Sequence, residues 1–177
     1  MITLGSKVRV TDPCYHLDTW CAATIENVEE GEYNTRAIYD KETDRVAEIL
    51  AVHQKYDINK NTKLSWEKTH FDIGVDSGQC GIFNYFHFKE EKDKDDAFEE
   101  EHGTVIDSKD WHYGRCCIGT GTDDKAAEID GLGYVSQSGY GDGSYDLYVA
   151  KNERHRIIAF KIVFIEDEEV EEIDNGW

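Results

Sequence analysis

Hydrophobic positions along this chain recur mostly at every second residue, in short runs broken by polar or glycine-rich stretches. That is the period of half-buried β-strands. Val8 and Val10 alternate with Lys7 and Arg9 until Asp12-Pro13 stops the run. Cys21 to Val28 predicts a second strand, closed by Glu29-Glu30-Gly31. Tyr33 to Tyr39 and Val46 to His53 flank Asp40-Lys41-Glu42-Thr43-Asp44, which predicts a hairpin with a polar turn. Asp57 to Lys63 reads as a loop. Phe71, Ile73 and Val75 alternate up to a turn at Gly78, and Ile82 to Phe88 resumes with four aromatics. In that run His87 falls opposite Phe86 and Phe88, as a surface histidine. Trp111 to Ile118 predicts a further strand, Gly119 to Asp124 a loop, and Lys125 to Ile129 a single helical turn. Leu132 to Val135 and Tyr145 to Ala150 bracket a glycine loop. A final turn leads into Ile157 to Ile165, the most apolar strand and therefore a central one.

Nine or ten mostly antiparallel strands, little helix and a single proline predict a mainly β fold, either a β-sandwich or a partly open barrel. No repeat or long linker divides the chain. One β-rich domain is expected over residues 1–165, with an acidic insertion near 89–103 and an acidic C-terminal tail over 166–177.

Charge changes this picture locally. The formal net charge is −19 over 177 residues. Glu90 to Glu101 holds eight acids against Lys92 and Lys94, and Glu166 to Asp174 holds seven acids and no base. The body of the domain is thus only moderately acidic. Such acidic runs are solvated segments, and around Phe98 the composition permits a short surface helix. Without a basic patch to release counterions, direct nucleic-acid binding is disfavoured. No run approaches the ~18 apolar residues of a membrane span, and the N-terminus lacks the apolar core of a signal peptide. Five cysteines, with Cys116 and Cys117 adjacent, do not suit a secreted disulfide framework. The expected location is the cytoplasm, with the thiols reduced.

Candidate chemistry lies in three turns. Ser138-Gly139-Tyr140-Gly141-Asp142-Gly143-Ser144-Tyr145 places one acid among three glycines ahead of a strand. Gly74-Val75-Asp76-Ser77-Gly78 repeats that grammar, and Thr11-Asp12-Pro13-Cys14-Tyr15 ends a strand at an Asx-type turn. If the three meet, Asp12, Asp76, Ser77, Gly78, Gly141, Asp142 and Gly143 line a polar pocket, with Trp20, Tyr140 and Tyr145 as stacking walls. Bare amides and aromatic rings suit a small polar, nucleotide-like ligand. No cofactor is expected, apart from a divalent cation that three carboxylates could hold.

Other chemistries find less support. The histidines show no close pair and no Cys-x-x-Cys spacing accompanies them. Cys80 stands in a hairpin, without the helix N-terminus or cation that lowers a thiol pKa. Of Cys116 and Cys117, adjacent on a strand, one should be buried and inert. The serine-hydrolase elbow, P-loop and dinucleotide fingerprints are absent.

With these motifs in place, the chain resembles the bacterial and phage proteins grouped as domain of unknown function 4241. The resemblance rests on Asp12-Pro13, on Gly31-Glu32-Tyr33, on Val75-Asp76-Ser77-Gly78 with Ile82-Phe83, and on Gly139 through Tyr145. Asp146 stands where that pattern usually has proline, and Asn84 where it often has an acid. The resemblance implies a compact β-rich domain and brings no established activity. The expectation is a non-catalytic binding protein for a small polar ligand, by analogy a phage or bacterial defence-related factor. Its rivals are a metal-dependent hydrolase using Asp12, Asp76 and Asp142, and an acidic protein-interaction module or nucleic-acid mimic.

Overall fold

The computed structural model describes residues 1–57, 63–89 and 111–166. The acidic stretch at 90–101 and nearly all of the tail lie outside these residues, so the helix expected near Phe98 does too. Eleven strands build the fold: β1 (Ile2–Leu4), β2 (Val8–Thr11), β3 (Ala23–Ile25), β4 (Gly31–Tyr39), β5 (Val46–His53), β6 (Glu67–Val75), β7 (Gln79–Asn84), β8 (Ala126–Ile129), β9 (Gly133–Gln137), β10 (Gly143–Lys151) and β11 (Ile157–Val163). One sheet has the order β1-β4-β5-β11-β10-β6 and the other β3-β2-β7-β9-β8. Every pairing between named strands is antiparallel. The sheets face each other as a sandwich, and among the described residues no barrel closes.

Between them sits the main core, in which Val8, Val10, Ile49, Ile73, Ile82, Leu147, Phe160 and Ile162 are almost wholly buried. β11 lies between β5 and β10, as its apolar run predicts. The edge strand β6 is less open than its length suggests. Its pairing with β10 shifts register between Asp146 and Tyr148, and Gly74 N donates to Cys21 O at 2.8 Å. A bulge and a covered end protect a sheet edge from pairing with another chain.

Three local expectations are corrected. Residues 111–120 form helix α1 (Trp111–Thr120) and not a strand. Its buried positions His112, Cys116 and Thr120 are four residues apart, which stacks them on one helical face. That face covers the outer side of the five-stranded sheet, where Phe83, Phe88, Cys116, Ile129 and Val135 form a second core. Lys125 to Ile129 gives the strand β8 because Ala126–Ile129 pairs with β9. Ile82 to Phe88 is not one strand: β7 stops at Asn84 and a 3-10 turn covers Tyr85–His87. Asn84 Oδ1 accepts from Phe86 N (3.2 Å) and Asn84 Nδ2 donates to Thr3 O (3.1 Å), so this departure from the family pattern caps a turn.

Arg9 also differs from its alternation pattern, for it is 4% exposed. Its guanidinium donates to Thr24 Oγ1 and to the carbonyls of Leu17 and Thr19. Burial pulls its pKa below the ordinary range. The segment between β2 and β3 is thereby folded back over the strand.

Candidate functional site

The Asp12-Pro13 turn ends β2 because proline has no N–H for the ladder. Asp12 is fully buried, and both its oxygens are taken. Oδ1 accepts from Cys14 N (2.8 Å) and Ser77 Oγ (2.6 Å), and Oδ2 from Asp76 N (2.8 Å) and Ser77 N (2.7 Å). One carboxylate therefore closes its own turn and clamps the β6–β7 turn. The Tyr15 hydroxyl adds a hydrogen bond to the Asp76 carboxylate.

From there the wiring passes to the glycine loop. Gly78 O accepts from Ser138 N at 3.0 Å. Gly139 (φ 60°) and Gly141 (φ 117°) take left-handed backbone that disfavours any side chain. The Gly141 carbonyl accepts from Ser138 Oγ (2.8 Å) and from the Tyr145 hydroxyl (2.6 Å), which staples the loop to the start of β10.

At the end of the sandwich where these turns meet lies an open hollow of about 330 Å³. Ser77 and Gly78 form one wall, and Gly139, Tyr140 and Gly141 another. Gln79 on β7, Gln137 on β9 and the last turn of α1 supply the floor, which is cross-linked internally. Gln79 Nε2 donates to Cys117 Sγ (3.3 Å), Thr120 Oγ1 to Gln79 Oε1 (3.1 Å), and Gln137 Nε2 to Thr120 O (2.8 Å). Arg45, from the β4–β5 turn, completes the rim. Its Nη1 donates to Gly139 O (3.2 Å) and its guanidinium lies 5.0 Å from the centre of the Tyr140 ring.

Of the residues singled out by sequence, Ser77, Gly78, Tyr140 and Gly141 line this hollow. Asp12 sits under Ser77 as a brace, and Asp76 is exposed and turned to Tyr15. Tyr145 braces the loop, its ring edge-on to Phe164 at 5.1 Å. Asp142 and Gly143 are exposed and outside the lining, as is Trp20, which is 90% exposed between β2 and β3. Asp12, Asp76 and Asp142 do not gather: among the described residues no group of three or more His, Cys, Asp or Glu side chains could hold a metal ion. Sequence reasoning missed Arg45, Gln79, Cys117, Thr120, Gly121 and Gln137. Arg45 had one signal, as the base that follows Asp40, Glu42 and Asp44 in its turn.

Two thiols near the site, those of Cys14 and Cys80, are held protonated. Burial, with the hydrogen bond to Asp12 and its charge adding, pushes Cys14 from the ordinary 9.0 up to about 12. Burial also pushes up Cys80. Tyr113, which bonds with Cys117 and Ser77, rises to about 12, mainly through burial. For Cys14 the sign works against stability in alkali. Folded and unfolded forms are both protonated below pH about 9, and above it the unfolded chain loses its proton first. Urea midpoints are therefore expected to fall as pH rises from about 9 towards 12, with a shallower fall near pH 9–10 in Cys14→Ala. A parent midpoint that stays constant across that window contradicts the assignment.

A family model described as "Protein of unknown function (DUF4241)" matches residues 4–162, nearly the whole chain. No curated protein and no solved structure matches it significantly.

Proposed function

The chain belongs to the DUF4241 family of proteins of unknown function, and from its own geometry we propose a non-catalytic binding protein that holds a small polar, nucleotide-like ligand. The observation that carries this reading is the hollow itself, built where the clamped β6–β7 turn and the stapled glycine loop adjoin. About 330 Å³ falls within the size range of small-ligand sites, about 300–1,000 Å³. Tyr140, 68% exposed at its edge, offers a ring for stacking, and the glycines let a ligand approach backbone. Support for binding without turnover comes from the lining. Ser77 is bonded to a carboxylate that already accepts three amide N–H groups, so both partners are engaged in holding the turns together.

The cytoplasm is the proposed location, a reading supported by five cysteines, none of them in a disulfide. A role in phage or bacterial defence is proposed on analogy with phage proteins that sequester small signals. The test is calorimetric titration of the purified protein with a panel of nucleosides and nucleotides. Binding by the parent, weakened about tenfold in Tyr140→Ala through lost stacking, is the expected result. A parent that takes up no member, or a Tyr140→Ala protein that binds equally well, removes this reading.

A further inference from the structure

The charge inside the hollow is opposite in sign to that of the chain around it. The protein carries −19, yet no lining residue is acidic and the one that bears a formal charge is Arg45. Two acids of the same turn are engaged elsewhere. Asp44 pairs with Lys125 at 3.1 Å, and the Asp40 carboxylate accepts from Thr43 N (2.9 Å) and Thr43 Oγ1 (2.6 Å). Among the described residues Arg45 forms no ion pair. Its contacts are a neutral carbonyl and an aromatic face. These orient the guanidinium without cancelling its charge.

Two features of the floor would repel an anion if left bare, and both carry hydrogen-bond donors. The C-terminal end of α1 points carbonyls at the site, the negative pole of the helix. Cys117 O accepts from Gly121 N (3.1 Å), Gly119 O from Thr122 Oγ1 (2.9 Å) and Thr120 O from Gln137 Nε2 (2.8 Å). The Asp12 carboxylate, behind Ser77, is surrounded by four donors.

Resting on the small-ligand reading, we propose that the hollow selects ligands bearing an anionic group, a phosphate or a carboxylate, and that Arg45 is the residue that reads it. A guanidinium presents a planar fork of donors that fits either group. Its position at the rim makes the contact sensitive to salt.

The probes are AMP, adenosine, inorganic phosphate and citrate, titrated calorimetrically into the parent, Arg45→Gln and Arg45→Lys proteins. AMP is expected to bind the parent about tenfold more tightly than adenosine, with the margin shrinking at high salt. Arg45→Gln should abolish that margin and Arg45→Lys keep part of it. Phosphate binding without citrate binding assigns the group to phosphate, and the reverse to carboxylate. Adenosine bound as tightly as AMP, an unchanged margin in Arg45→Gln, or no uptake of any of the three anions at millimolar concentration overturns the proposal. The two failures are separable. Equal binding of adenosine and AMP defeats anion selection alone, whereas no binding by any nucleoside or nucleotide defeats the site. Circular dichroism of the variants confirms that the exposed substitution leaves the fold intact.

Discussion

Asp12→Ala is expected to destabilise the folded chain by about 3–4 kcal/mol. The side chain is completely buried and supplies the acceptor for three backbone N–H groups and the Ser77 hydroxyl. Each donor left unsatisfied costs about 1–3 kcal/mol, and water reaching the exposed side of the Asp76 turn keeps the total below their sum. Asp12→Asn is the sharper comparison. It preserves volume and one oxygen but turns an NH₂ towards donors, so a loss of about 2 kcal/mol should remain. Guanidinium unfolding at neutral pH measures both. A loss under about 1 kcal/mol in Asp12→Ala would show that the two turns hold together without the clamp. Because the clamped turn carries Ser77 and Gly78, affinity for the proposed ligand should fall along with stability.

The second large effect is expected at a residue that touches no ligand. Phe83→Ala should cost about 3–5 kcal/mol, the range for deleting a buried aromatic ring. Phe83 is 1% exposed, and its ring fills the space where side chains at Gly81 and Gly133 would stand. It also packs against Phe88 (5.3 Å) and His112 (5.1 Å). Removing the ring leaves a floor of two glycines that cannot refill the gap, so the cavity persists. Helix α1 rides on this cluster and carries Cys117 and Thr120 into the hollow. The variant should therefore lose both stability and affinity, while Tyr140→Ala loses affinity alone. Equal stability of Phe83→Ala and parent in the same unfolding assay would refute the packing account.

The contrast between β5 and α1 shows what kind of information a sequence exposes. Val46 to His53 was readable to the residue because its apolar run and the polar turn before it are local properties. Trp111 to Thr120 misleads because its glycines and short apolar spacing carry little helix propensity. Burial of one face on β8 and β9 decides its conformation. Arg9 misleads for a related reason. The alternation of β2 places it away from the main core, but the following segment folds back over that face.

For the candidate site, the turns were legible and their roles were not. Gly139 and Gly141 betray a left-handed loop, and Asp12-Pro13 betrays a strand end, by residue chemistry alone. That Asp12 would serve as a brace, Tyr145 as a staple and Trp20 as an outlying ring depends on neighbours far along the chain. Asp12 and Ser77 are 65 residues apart, and Arg45 and Gly139 are 94 apart.

The chain on its own determined a β-rich domain, the β4–β5 and β10–β11 hairpins, its central last strand and its family, since each is written in spacing or in a motif; the hairpin expected around Cys80 does not form, because β6 and β7 lie in different sheets. Tertiary structure alone decided that two sheets and a helix end would bring an arginine, in no ion pair among the described residues, to a hollow lined by no described acid. Contacts of that length leave no periodic trace, because nothing in the intervening residues needs to change for them to form.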